Sequence, residues 1–234
     1  TPLQMMTETF ARYALWIAIV ALASILWGAL VAFGQTSIKR RIAYTSVNHM
    51  GYAVLGIAAA GALLAGEEEA RQLALTGAVV EMVAHGLITG ALFLLAGAVW
   101  TRAGTYEMAD FGGLAGVAPK FTTAAVLASF ASLGLPGLAG FVAEVQIFVG
   151  AFAIFPVLAA LGLLGILITA ALFLTMLRQV FFGALPERRR GFADVSASEG
   201  LVLAGLLLLV VLVGVWPTWL LDVVNAGTAA VVGG

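Results

Sequence analysis

Of the 234 residues, 62% are hydrophobic and 10% are charged, and the mean hydropathy is +1.10. Soluble domains carry roughly 25% charged residues, so the composition excludes a water-covered enzyme. The balance of 11 basic and 12 acidic residues offers no basic footprint for nucleic acid, and the absence of cysteine excludes disulfides, thiolate metal sites and thiol catalysis in this chain. Thr1-Pro2 is not a natural start, and no basic segment with a short apolar stretch and cleavage site follows it. The chain is therefore expected to be an integral membrane protein and part of a longer polypeptide.

A membrane helix needs about 20 mostly apolar residues to cross roughly 30 Å of hydrocarbon. Five stretches meet that requirement, at 13–34, 42–65, 73–100, 156–182 and 200–221, separated by polar clusters. A sixth apolar region, 121–155, is too long for one straight helix and is interrupted by Gly134, Pro136, Gly137 and Gly140. Proline removes a backbone donor and glycine adds freedom, so the helix should break there. Each piece alone is too short to span, leaving one discontinuous span or a re-entrant hairpin.

Charge decides between them. One discontinuous span gives six crossings and puts Lys39, Arg40, Arg41, Arg102, Lys120, Arg178, Arg188, Arg189 and Arg190 on one side, with only Arg12 and Arg71 on the other. A hairpin would send Arg178 and Arg188 to Arg190 across. The positive-inside rule favours the first arrangement, with basic loops cytoplasmic. The expected fold is all-α: a single membrane domain over 1–234 of six transmembrane helices, the fourth discontinuous at 134–140.

An ionisable residue deep in a span costs at least about 2.5 kcal/mol on insertion scales, so it needs a partner, a hydrated cavity or a function. Four stand out: His49, Glu81, His85 and Glu144. Glu81 and His85 are four residues apart, on one helix face, where they can share a hydrogen bond or a proton, and Thr89 extends the stripe. The alternative is a carboxylate that merely satisfies a neighbouring helix. His49 lies a third of the way into the second span with Thr45, Asn48 and Tyr52 around it, where a packing histidine is the competing reading. Glu144 follows the Gly/Pro break, where freed backbone groups can line a cavity near the midplane; the competing reading is a buried acid kept permanently neutral by hydrogen bonds. Arg178 can snorkel to the interface, Arg188 to Arg190 anchor topology, and the five tryptophans belong to span ends or lipid-facing positions. No GxGxxG, P-loop, HExxH or GxSxG motif is present. Two histidines in separate spans hold a metal or haem only if the fold brings them together, so no metal is expected.

The runs Gln35-Thr36-Ser37-Ile38-Lys39-Arg40-Arg41-Ile42-Ala43-Tyr44-Thr45-Ser46 with His49-Met50-Gly51, Met82-Val83-Ala84-His85-Gly86-Leu87, Ala131-Ser132-Leu133-Gly134-Leu135-Pro136-Gly137 and Gly140-Phe141-Val142-Ala143-Glu144 resemble, in order, the antiporter-like subunits of respiratory complex I. In that family the acid at the Glu144 position resembles chain M (subunit 4), whereas chains L and N and the Mrp antiporter subunits carry lysine. Glu81 departs from the family pattern, which has glutamine or an apolar residue there.

The resemblance implies the last six of fourteen helices, the second inverted repeat with its broken helix, and the outlet-side half of a proton path through His49, His85 and Glu144. It also implies a translocase: a membrane subunit of NADH:quinone oxidoreductase, with no redox site in this chain. NADH, FMN, iron–sulfur clusters and quinone belong to other subunits, and the neighbouring antiporter-like chains L and N are the partners. The rival expectations are a subunit of a Mrp-type sodium/proton antiporter and an inert membrane scaffold. Rich Ala, Gly and Arg usage points to a bacterial inner membrane.

Overall fold

The computed structural model describes residues 2–63 and 66–232, with side-chain surroundings from 8 to 229. Residues 64 and 65, at the end of the second expected span, and residues 1, 233 and 234 lie outside the described residues. Every long element among the described residues is an α-helix: α1 (Pro2–Phe33), α2 (Ile38–Gly61), α3 (Glu68–Ala103), α4 (Pro119–Ser132), α5 (Ala139–Ile154), α6 (Pro156–Phe181), α7 (Ala197–Val215) and α8 (Thr218–Val232). Four are long and apolar enough to cross a membrane, α1, α3, α6 and α7. α2 matches them in length but carries Lys39, Arg40 and Arg41 in its first turn.

Local chemistry sets the ends. Pro119 and Pro156 open α4 and α6, where the missing N–H is an orphan in any case. Ser196 and Glu199 form a reciprocal capping box on α7. The residue before α4, Ala118, has no side-chain acceptor. The Asp194 carboxylate, from the α6–α7 loop, supplies one instead, accepting from Lys120 N at 3.1 Å and Phe121 N at 2.8 Å. Burial opposes ionisation of Asp194, but the backbone donors of Phe121, Val195 and Lys120 outweigh it and hold the carboxyl below its ordinary value.

Two arginines are buried in ways that sequence placement did not foresee. Arg41 sits in the first turn of α2 and not in a loop. Its guanidinium reaches back to the carbonyls ending α1, Phe33 O at 3.0 Å and Gln35 O at 2.7 Å, and across to Leu172 O of α6 at 3.1 Å. Arg71, inside α3, donates to Ala60 O near the end of α2 at 2.8 Å. Phe33 O and Ala60 O are among the carbonyls that a helix C-terminus leaves unpaired, whereas Leu172 O lies within α6.

The break between α4 and α5 covers 133–138, with Gly134 at φ +74° and Gly137 at φ +90°. These left-handed positions are open to glycine and strained for other residues. Gly140 falls inside the first turn of α5, where a Cβ would collide with Ala131 O. Its contribution is close packing and not the turn.

The expected span at 200–221 is not one helix. Pro217 cannot continue α7 and biases Trp216 away from helical geometry, so α7 ends at Val215 and α8 starts at Thr218. Both halves lie along α3. Glu199 of α7 pairs with Arg102, whereas in α8 Val224 packs with Val80, and Asn225 and Thr228 meet Thr76 at 2.8 and 3.0 Å. At the kink, Gly214 lies so close to Gly137 that a Cβ on it would collide with the Gly137 carbonyl.

Candidate functional site

Backbone contact between α3 and α5 builds the site. A Cβ on Gly77 would stand 2.6 Å from Ile147 N, and one on Gly150 would stand 2.5 Å from Ala70 O. Only glycine permits such an approach, the small-residue packing that membrane helices use. Glu81 stands one turn beyond Gly77 and Glu144 six residues before Gly150, so the contact sets two carboxylates side by side. α2 brings His49 between them.

His49 is the hub. Its Nδ1 lies 3.1 Å from Glu81 Oε1 and 3.9 Å from Glu144 Oε1, and its Nε2 lies 3.1 Å from Ser132 Oγ at the end of α4. The His85 ring centroid is 5.4 Å from that of His49, and the Tyr52 ring meets it edge-on at 5.6 Å. His49, Glu81 and Glu144 are 4%, 2% and 5% exposed, so the cluster is dry enough for each charge to matter. Among the described residues, His49 is the group within ion-pair distance of either acid.

The geometry leaves two hydrogen-bond arrangements. In one, Nδ1–H donates to Glu81 and the Ser132 hydroxyl donates to Nε2. In the other, Nε2–H donates to Ser132 and a protonated Glu81 donates to Nδ1. They differ by the transfer of protons through one imidazole. Glu144 stands next in reach, and its carboxylate lies against Gly134, where a Cβ would collide with Oε2.

All four sequence-selected residues therefore meet, but not by the expected pairing. Glu81 bonds to His49 of the neighbouring helix and not to His85, while Thr89 Oγ1 is taken up by the His85 carbonyl. Asn48, one residue before His49, donates to Thr169 Oγ1 of α6 at 2.7 Å, fixing α2 against α6. Ser132 is the participant the sequence reading did not select. Its signal was its place at the last turn before the break. The donor atoms of His49, Glu81 and His85 lie within 4.8 Å of one another, a set of metal-binding type.

Comparison with known proteins gives a consistent result. Residues 2–169 match the family model described as NADH:quinone oxidoreductase/Mrp antiporter, TM. The chain is 37% identical to NADH-quinone oxidoreductase subunit M of Pseudomonas aeruginosa over 92% of its length and 39% of that protein's. Among solved structures, a chain of respiratory complex I from Thermus thermophilus with bound NADH superimposes with a TM-score of 0.86 at 33% identity, over 97% of this chain and 46% of that one. A chain of the Mrp complex from Dietzia sp. DQ12-45-1b gives a TM-score of 0.82 at 20% identity, over 94% of this chain and 47% of that one, a likeness of fold alone. This chain thus spans less than half the length of these relatives.

Proposed function

This chain belongs to the NADH:quinone oxidoreductase/Mrp antiporter transmembrane family, and we propose that it acts as a proton-translocating membrane subunit of NADH:quinone oxidoreductase, of the subunit M (chain 4) type. The observation that carries the reading is His49, held between Ser132 on one ring nitrogen and Glu81 and Glu144 on the other.

Protons pass through the His49 imidazole between the Ser132 side and the Glu81 carboxylate, with His85 beside the ring and Glu144 as the terminal acceptor next to the helix break. Reduction of quinone by NADH through FMN and iron–sulfur clusters takes place in other subunits. This chain supplies the proton path that the reaction drives, in contact with the neighbouring antiporter-like chains L and N. The membrane is a bacterial inner membrane, crossed six times by α1, α2, α3, α4 with α5, α6, and α7 with α8, with the basic loops cytoplasmic.

The test is proton pumping by the assembled, reconstituted complex. Glu144→Gln should nearly abolish pumping and Glu81→Gln should lower it less. Full pumping by a correctly assembled Glu144→Gln complex overturns the reading. Co-purification of the chain with flavin and iron–sulfur subunits separates it from a Mrp-type sodium/proton antiporter.

A further inference from the structure

We propose that His49, Glu81 and His85, with Glu144 as fourth donor, form a binding site for a divalent cation of the zinc type. The three donor atoms already lie within 4.8 Å of one another, and the His49 Nδ1 to Glu81 Oε1 edge, at 3.1 Å, is near the ligand spacing of a tetrahedral zinc centre. Bonds of about 2.0–2.2 Å put ligand atoms roughly 3.3 Å apart, so closure needs a rotation of His85 and a small shift of Glu144, now 3.9 Å from Nδ1.

Three observations favour a cation here. Glu81 Oε2 is buried without a hydrogen-bond partner, in a side chain 2% exposed. Such an atom costs free energy until something donates to it or coordinates it. Ser132 already holds Nε2 of His49, the outer hydrogen bond that orients a metal-bound imidazole and frees Nδ1 as ligand. Two carboxylates with two imidazoles match a 2+ ion in charge, and imidazole donors select zinc over magnesium or calcium. His85 is the least buried of the set.

The site stands whether or not the cluster moves protons. If it does, a bound cation occupies Nδ1 and both acids at once and halts the transfer.

The measurement is zinc bound to the metal-stripped, lipid-reconstituted complex carrying the full-length subunit. Wild type should hold one zinc equivalent more than Glu81→Gln or His85→Gln, with imidazole scattering at the zinc X-ray absorption edge. Ser132→Ala should bind that zinc at least about tenfold more weakly. A cryo-EM map of the zinc-loaded wild type, which requires no variant to assemble, should show density between the three side chains. Unchanged stoichiometry in both variants, or a map empty at the cluster, overturns the proposal. Zinc bound at the cluster with pumping undiminished would uphold the site and count against the proton path.

Discussion

The Glu144 carboxylate rests against the backbone of Gly134, ten residues earlier in the chain and within the helix break. The turn and the acid are thus one unit: a residue able to adopt φ +74° without a side chain leaves the space that the carboxylate fills.

Gly134→Ala adds a Cβ where the carboxylate stands and strains a left-handed position by about 1–2 kcal/mol. The complex should still assemble, but pumping should fall severalfold, and the infrared carboxyl band assigned through Glu144→Gln should shift. An unshifted band would mean that the acid tolerates the added methyl group.

Ser132→Ala leaves Nε2 of His49 buried without its partner, at a cost of about 1–3 kcal/mol. Pumping should drop, though less than in Glu144→Gln. Ser132→Thr restores the hydroxyl and should recover most of the rate, an outcome that a purely space-filling serine would not give.

Gly77→Leu drives a side chain into the Ile147 backbone, overpacking by about 1–3 kcal/mol and parting Glu81 from Glu144. Gly97→Ala, on the same helix with nothing within 4 Å of its Cβ position, is the control. Pumping assays on both should separate a specific helix contact from a general intolerance of α3 to substitution.

Asp194→Ala removes the acceptor that caps α4 from another loop, worth about 1 kcal/mol. Amide exchange in the first turn of α4 should quicken about fivefold. Because the folded-state pKa of Asp194 is depressed, the cap is at full strength above the ordinary aspartate value of about 3.9 and fades as the pH falls through the lower, folded-state value. Exchange in wild type should therefore approach that of the variant only in acid.

The candidate cluster was largely legible because ionisable residues are rare in apolar sequence: His49, Glu81, His85 and Glu144 stand out by cost alone. Their pairing was not legible, since i,i+4 spacing reports a shared face and not which helix packs on it. Tertiary approaches decide it: α3 meets α5 at Gly77 and Gly150, and α2 meets α3 at Gly56, where a Cβ would stand 2.7 Å from Ala74 O, so Glu81 lies beside both His49 and Glu144. Ser132 was hidden because hydroxyls are common in membrane helices and only the position of the break gives this one a partner. The kink at Trp216 and Pro217 had a local signal in the proline, but continuous hydropathy across 200–221 outweighed it. Arg41 was counted by its charge, whereas its role follows from the open carbonyls at the end of α1.

Gly214 of α7 lies directly against Gly137 in the α4–α5 turn. A turn at membrane depth exposes carbonyls that lipid cannot satisfy, and such backbone survives only when protein shields it. In the proposed arrangement the kinked final pair, α7 and α8, seals the α4–α5 turn from the acyl chains. The last helices then act as insulation: with α7 and α8 removed, Glu144 would keep its local neighbours while the turn beside it opened to the bilayer.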